Sequence, residues 1–213
     1  MSLEDIKRIF ERINATSYSL NAMEIHNSRF DGEFKKFAEE ISQHSFFNDH
    51  RVFSTNEIRR MRDISFVLVF VITIMSTYFN REDELENYLE RYNDEFELKD
   101  VLSNNITKVF KFIDECNFGS RERVWKKSDL LNLLVEIYRT IVIHGLDLEP
   151  HDAGEKLKRF YAKVDRYPDL DEDEVTPEEL KDIGEYSKAA SQATNDRGSR
   201  IKRGEIIQKV ISG

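Results

Sequence analysis

The stretch that decides the fold is "ISFVLVFVITIMSTYFN", residues 64–80, which carries no charge and is rich in Val, Ile and Phe. A membrane span, a buried strand and a buried helix are the three candidate structures for it. A span needs about 20 predominantly apolar residues, whereas this run is shorter and is bounded by Asp63 and Arg81. Its β-branched content favours a strand, but its length without a turn signal, between helical neighbours, favours a helix. We therefore expect a central core helix that is buried on nearly all sides.

Apolar residues outside this run recur at helical spacing through most of the chain. The stripes are Phe34, Phe37, Ala38 and Ile41; Leu85, Tyr88, Leu89 and Tyr92; Leu130, Leu133, Leu134, Ile137 and Ile141; and Leu157, Phe160, Tyr161 and Val164. Each stripe has charged residues on the opposite side, as amphipathic helices do. No pair of alternating strands with a hairpin turn occurs in the sequence. The sequence thus predicts an all-α fold, an irregular multi-helix bundle.

The chain divides into a long body and a short C-terminal part. The clearest linker is the acidic stretch "DRYPDLDEDEVT", residues 165–176. It separates a helical body, residues 4–164, from a pair of helices in residues 177–213, which we expect to pack on that body. Thr176, Pro177 and Glu179 fit N-cap, N1 and N3 of the next helix, a capping box with proline where its missing N–H costs nothing.

Charge and cysteine content narrow the class of protein. The 213 residues carry 32 basic and 41 acidic side chains, a net charge of −9, which is the wrong sign for a protein that coats DNA or an anionic membrane. Any nucleic-acid contact must therefore be local. The one cysteine, Cys116, continues an apolar helical stripe, so we expect a buried thiol, no disulfide and a reducing, cytoplasmic compartment. The opening "MSLEDIKRIF" has no secretory pattern; we expect that residues 1–3 are vector-derived and that native sequence preceded Glu4.

Metal-binding and catalytic signatures are missing from the sequence. Asp169, Asp171 and Asp173 have the spacing of a calcium loop, but Glu174 and Leu180 stand where that loop needs glycine and a bidentate acid. The five histidines include no pair at the four-residue spacing of a helical zinc site. Serine elbows, glycine-rich phosphate loops and histidine-based nuclease signatures do not occur either. We expect no metal and no catalysis from this chain itself.

Two basic clusters are candidates for phosphate contact. "RERVWKK", residues 121–127, sets the single tryptophan among basic residues that would bind phosphate while the ring stacks on a base; its members are Arg121, Arg123, Trp125, Lys126 and Lys127. The alternative is an aromatic plug at a helix junction with a solvated basic rim.

The second cluster, "DRGSRIKR", residues 196–203, places three arginines at three-residue intervals on a terminal helix, opposite an apolar face: Arg197, Arg200 and Arg203. The arginine row would face phosphate or a partner, or be an ordinary charged face. In each case we expect the three side chains on one strip of surface, where their replacement would change thermal stability little.

The opening corner, residues 9–34, is "IFERINATSYSLNAMEIHNSRFDGEF". In it a helix-like run ends, a short polar turn follows, and a second helix-like run begins within a few residues. If Asn21 is an N-cap, Glu24 falls at N3 and completes a capping box, while Leu20 at N′ would pack on Ile25 at N4 as a hydrophobic staple. Arg12 and Asn14 precede it, and their side chains are of the kind that hold a turn by binding backbone groups.

The same corner resembles a known family. "IFERIN", a short turn, "SLNAMEIHN" and "GEF" resemble the second half of the N-terminal domain of GmrSD-type, modification-dependent restriction proteins, in which Phe-x-Arg-x-Asn, a turn and Leu-Thr-x-x-Glu-x-x-Asn recur. Asn21 replaces the usual cap threonine, and the common glycine of the turn is absent. "RRMRDISFVLVF" and the closing helix from "SQATNDRGSR" are also similar to the family, so the resemblance covers most of the chain. The matching corner residues are Phe10, Arg12, Asn14, Leu20, Glu24 and Asn27.

The resemblance implies that this chain is one part of a longer protein. The family's N-terminal domain begins with a ParB-like α/β portion whose Asp-Gly-Gln-Gln-Arg motif is implicated in nucleotide hydrolysis, and many relatives add an HNH nuclease domain. This chain contains neither. It would be the non-catalytic helical portion, with an NTP and a divalent metal belonging to the full-length protein. Arg12 and Asn14 would lie at the seam with the catalytic half and complete its nucleotide site.

The helices would then serve DNA sensing or assembly, including formation of a homo-oligomer, with no membrane role. A rival interpretation is a helical scaffold or adaptor that binds another protein and has no nucleic-acid role. A stand-alone enzyme would instead require an enclosed pocket with convergent polar groups.

Overall fold

The computed structural model describes residues 20–171 and 174–213, which form eleven α-helices and no β-strand. The predicted all-α class is confirmed. In chain order the helices are α1 Ala22–Arg29, α2 Glu33–Ser42, α3 Ser45–Asp49, α4 Thr55–Arg59, α5 Arg62–Met75, α6 Leu85–Arg91, α7 Lys99–Glu115, α8 Lys127–Tyr138, α9 Pro150–Arg166, α10 Pro177–Ser191 and α11 Arg197–Ser212. A 3-10 turn, Arg123–Trp125, precedes α8, and a π-helical turn, Arg139–Ile143, follows it.

The predicted central helix is α5. Ten of its fourteen residues are buried, and it packs against α1, α2, α4, α6 and α8. The prediction of a helix through residue 80 is wrong for residues 76–80, because α5 ends at Met75. Side chains of α11 bind the carbonyls of Tyr78 and Phe79 there, so those carbonyls need no helical partner. Within residues 20–171 and 174–213, no helix has the length and hydropathy needed to cross a membrane.

A second central helix, α8, lies between α5 and the C-terminal helices. Every residue from Asp129 to Tyr138 is buried, and the helix contacts α5, α7 and α11. Three of its buried side chains are polar, namely Asp129, Asn132 and Glu136, and with their partners they form what we call the buried polar cluster. Tyr186 of α10 donates to Asp129 at 2.9 Å, Arg203 of α11 donates to Asn132 at 2.9 Å, and Tyr78 donates to Glu136 at 2.8 Å.

The C-terminal helices pack on each other and on the body. Helix α11 contacts α8, α9 and α10. The predicted helix start is confirmed, because Thr176 and Glu179 exchange the two capping-box hydrogen bonds at 3.2 Å and Pro177 is the first helical residue. Helix α9 runs to Arg166, two residues into the expected linker, and the Arg166 guanidinium binds both carboxylate oxygens of Glu174.

Candidate anion-binding cleft

A cleft of about 460 Å³ lies between α1, the first turns of α5 and α8, residues 81–82, and the start of α11. Its volume falls within the usual range of small-molecule sites, about 300–1,000 Å³. We call it the cationic cleft, because the charged residues among the described ones that line it are four cations and one carboxylate: Arg62, Arg81, Glu82, Lys127 and Arg200. Such a surplus of positive charge is a local feature in a chain whose net charge is −9.

The cations of the cleft differ in how far they are neutralised. Lys127 lies 3.0 Å from Glu57 and forms an ion pair with it. Arg81 lies 3.5 Å from Asp196, and both side chains are exposed, so this pair is weak. Arg62 is exposed and has no hydrogen bond or ion pair with another described residue, although its charge acts at longer range on Glu24. The cleft therefore retains positive charge that internal contacts do not cancel.

Two helix N-termini add to this charge. Arg62 is the first residue of α5 and Lys127 the first residue of α8, and neither helix has a side-chain hydrogen bond from its N-cap residue. An α-helix carries a partial positive charge of roughly half a unit at its N-terminus, and its first N–H groups lack helical partners. Asp63 opposes this effect in α5, although burial raises the pKa of its carboxyl.

Arg200 and Arg81 form a fixed wall of the cleft. Arg200 is only 3% exposed, and it donates to the carbonyls of Phe79 at 2.8 Å and Arg81 at 3.0 Å. Its Nε is buried without a hydrogen-bond partner among the described residues. Burial, and next the charge of Arg203, lower the pKa of Arg200 to about 10, so the guanidinium remains charged at neutral pH.

Arg81 has a backbone conformation that is unusual for a residue with a side chain. Its φ is +43°, in the left-handed region that favours glycine. Its N–H donates to the carbonyl of Asn195 at 2.8 Å, and its own carbonyl accepts from Arg200. Hydrogen bonds on both sides therefore hold the strained residue in place, an arrangement common at binding sites.

Glu82, the one carboxylate among the described residues of the cleft, already has a hydrogen-bond partner. Glu82 accepts a short hydrogen bond from the Ser65 hydroxyl. Among the described residues that line the cleft, none is a histidine that would act as the base for a serine nucleophile. No group of three or more His, Cys, Asp or Glu side chains within residues 20–171 and 174–213 is placed to hold a metal ion. The arrangement is suited to binding an anion.

The N-terminal corner forms one edge of this cleft through Asn21 and Met23. The predicted capping box is confirmed: Asn21 Oδ1 accepts from the Glu24 N–H at 2.9 Å, and Glu24 accepts from the Asn21 N–H at 2.7 Å. Glu24 also binds Arg60 at 3.1 Å, and Asn21 donates to the Arg60 carbonyl at 2.8 Å. The Asn21 N–H and then Arg60 lower the pKa of Glu24. These contacts fix α1 to the segment that leads into α5.

Other predicted corner residues have different outcomes. Leu20 and Ile25 are 38% and 44% exposed, so the expected staple does not bury them. Asn27 is half-buried on α1. The predictions for Phe10, Arg12 and Asn14 lie outside the described residues.

The expected surface row of arginines on α11 is wrong. Arg203 is fully buried and Arg200 nearly so, whereas Arg197 is exposed and donates from Nε to the Tyr78 carbonyl. At about 100° per residue, steps of three residues drift around a helix, so the row turns by roughly 120° from solvent towards the core. The expectation that replacing all three would leave stability nearly unchanged is therefore also wrong.

The "RERVWKK" cluster does not form a single surface. Arg123, whose side chain is 10% exposed, lies 2.9 Å from Asp129 and 2.8 Å from Asp165. Trp125 stacks on the His50 ring at 3.8 Å between centroids and donates to the Gly119 carbonyl. Of the two alternatives for this ring, the contacts favour the aromatic plug over the base-stacking platform. Of the other cations, Arg121 and Lys126 are exposed and Lys127 lines the cationic cleft.

Sequence reasoning missed Arg62, Arg81 and Glu82 as site residues. They lie far from Lys127 and Arg200 in the sequence, and no motif spacing links them. The only available signal was the basic start of the apolar run, where "RRMRD", residues 59–63, spans the first residues of α5. No protein-family model, curated protein or solved structure matches this chain significantly.

Proposed function

We propose that this chain is the non-catalytic helical portion of a GmrSD-like phage-defence protein, of the modification-dependent restriction type, and that it supports an upstream nucleotide-hydrolysing half. The observation that carries the proposal is that the corner resembling the family and the cationic cleft lie at the same place in the fold. The corner that resembles the family, where Asn21 and Glu24 form a capping box, also forms an edge of the cationic cleft through Asn21 and Met23. An upstream half joined at this corner would meet unneutralised positive charge and a fixed helix start.

The proposal divides the work between the two parts. Hydrolysis, with its NTP and divalent metal, belongs to the ParB-like half, and Arg12 and Asn14 would complete the nucleotide site at the seam. The body contributes rigidity, because Glu24 and Asn21 tie α1 to Arg60. We also assign the protein to the cytoplasm, since its one cysteine is buried and free and needs no oxidising compartment.

A role in DNA sensing or in assembly is the weaker element of the proposal. The buried arginines of α11 cannot serve it, so any DNA contact would use exposed cations such as Arg121 and Lys126. With so few charges, affinity for duplex DNA would be low and would fall with salt, because each neutralised phosphate releases about 0.9 counterion.

Hydrolysis assays test the proposal. The purified 213-residue chain should release no phosphate from GTP or ATP above a no-protein control. The chain extended by its native upstream sequence should release phosphate, and Glu24→Gln should slow that release, because it removes the charge that pairs with Arg60 while glutamine still closes the capping box. Glu33→Gln, at a half-exposed position where the carboxylate pairs with Lys36, is the matched control. Turnover by the chain alone, or an upstream reading frame without Asp-Gly-Gln-Gln-Arg, would overturn the proposal.

A helical scaffold or adaptor is the second candidate, and exposed apolar side chains favour it. Three apolar side chains are between 38% and 47% exposed: Leu20 and Ile25, on either side of the cap, and Ile58 of α4. Exposed apolar side chains that cluster mark protein contacts more often than those that occur singly. Loss of a co-purifying protein in Ile25→Ser, together with unchanged NTP turnover in Glu24→Gln, would favour the adaptor.

A further inference from the structure

We propose that the cationic cleft is itself a binding site for a small polyphosphate, a ligand with at least two linked phosphoryl groups. This inference does not rest on the proposed function, because the described residues that line the cleft all belong to this chain, from Asn21 to Arg200. It assigns ligand binding to the helical body alone, without any upstream half.

The distribution of charge favours an anion with more than one phosphoryl group. The cations come from separate elements: Arg62 from α5, Lys127 from α8, Arg81 from the segment after α5, and Arg200 from α11. A ligand with several charged groups is able to engage them together. The cleft, about 460 Å³, has room for roughly fifteen waters at about 30 Å³ each, which is more than one phosphate fills.

The wall of the cleft is prepared for a negative charge. Burial, and next repulsion by Arg203, lower the pKa of Arg200, and Glu82 and Asp196 offset only part of this. Hydrogen bonds hold Arg81 in a left-handed conformation beside them. A bound polyanion would offset the repulsion without rearranging the wall, so binding should also stabilise the fold.

The same features disfavour other ligands. Glu82 repels an anion, so a singly charged ligand would gain less from the four cations than a polyphosphate gains. Duplex DNA needs a row of exposed cations along its backbone, whereas the arginine row of α11 turns into the core. The uncapped N-termini of α5 and α8 match phosphoryl oxygens, which accept N–H donors.

Titration of the whole chain with inorganic pyrophosphate tests the site. We expect saturable binding by calorimetry, a rise in melting temperature, and amide shifts in the first turns of α5 and α8. Arg62→Gln should weaken binding by about tenfold or more, the usual effect of losing one charged hydrogen bond. Because no hydrogen bond or ion pair joins Arg62 to another described residue and its effect on Glu24 is long-range, its replacement should change the ligand-free melting temperature little.

Arg59→Gln is the matched control. Arg59 is an exposed arginine at the end of α4, three positions before Arg62 and outside the cleft lining, so its loss should change affinity less than twofold. Equal effects of the two variants would mean that pyrophosphate responds to overall charge, and the site would be refuted. No saturation at millimolar pyrophosphate, or binding of a short duplex alone, would refute it equally.

ATP in a parallel titration distinguishes two sources of the same phosphate chemistry. Tighter binding of ATP than of pyrophosphate would identify a nucleotide, whose sugar and base add contacts with apolar residues such as Phe66 and Leu131. Equal affinity would identify an inorganic or other polyphosphate. Failure of both titrations overturns this site but leaves the proposed support of an upstream half standing, because the hydrolysis assay on the extended chain tests that separately.

Discussion

Replacing Arg203 with methionine should strongly destabilise the protein, because this fully buried guanidinium joins three parts of the fold. It donates to Asn132 of α8 at 2.9 Å, to the carbonyl of Ala189 in the last turn of α10, and to the carbonyl of Thr194 at 2.8 Å. Methionine has a similar length and no donor, so the substitution leaves three acceptors without this partner while the apolar packing is largely kept.

The magnitude follows from the loss of a charged partner inside the protein. A hydrogen bond from a charged group contributes about 1.5–3 kcal/mol, and removing one partner of a buried ion pair costs about 3–5 kcal/mol. The value where the two ranges meet, about 3 kcal/mol, applies here, because the variant also avoids the cost of burying a charge, the cost that lowers the pKa of Arg203. With a urea slope of about 2–3 kcal/mol/M, the unfolding midpoint should fall by about 1–1.5 M.

Urea unfolding followed by circular dichroism measures this shift. Lys202→Met is the matched control on the same helix, because Lys202 contacts Glu185 and Glu205 at a half-exposed position, and it should cost less than about 1 kcal/mol. If Arg203→Met lowers the midpoint no more than Lys202→Met does, Arg203 does not hold the C-terminal helices to α8, and the reasoning is refuted.

Three further results are expected. Gly204→Ala should lower the melting temperature, because the added Cβ would lie 2.6 Å from Glu136 Oε1. Gly198→Ala is its control: the added Cβ has nothing within 4 Å, so the melting temperature should stay unchanged or rise. Burial raises the pKa of the Asp63 carboxyl in the folded protein. The contribution of Asp63 to stability is therefore complete below the unfolded pKa of about 3.9 and is lost as pH rises through the folded pKa. Urea midpoints should show Asp63→Asn gaining stability relative to wild type as pH rises above about 4. Burial raises the pKa of Cys116 to about 12, so iodoacetamide at pH 8 should label it, by mass spectrometry, only after unfolding.

Local signals in the sequence were enough to predict the features that depend on neighbouring residues. The capping boxes at Asn21 and Thr176 form as expected, since each depends only on a cap residue and a glutamate three positions later. The uncharged run predicted the central helix α5 because its length fits a helix better than a strand. Its end at Met75 could not be predicted, because the carbonyls beyond it are bound by arginines more than a hundred positions away.

The failures have a common physical cause. Arg200 and Arg203 have the spacing of a charged helix face, but the Arg200 guanidinium binds the carbonyls of Phe79 and Arg81, and the Arg203 guanidinium binds Asn132 of α8. Asn132 sits within an apolar stripe of α8, where a polar side chain requires a partner, but one sequence does not show which residue supplies it. The cationic cleft was missed for the same reason, since its cations meet only when α5, α8 and α11 pack together.

Helix α11 links the buried polar cluster to the cationic cleft. Arg203 completes the buried polar cluster on α8, and one turn earlier Arg200 binds the carbonyl of Arg81 and so holds a wall of the cationic cleft. The two guanidiniums repel each other across that turn. A negative charge placed in the cleft would therefore act on α11, the helix that Arg203 attaches to α8. An anion near Arg200 should therefore strengthen the packing of α11 on α8, and removal of the C-terminal helices should disorder the cleft as well as expose α8. For this reason the C-terminal pair is a structural part of the candidate site, although the acidic linker separates it from the body in the sequence.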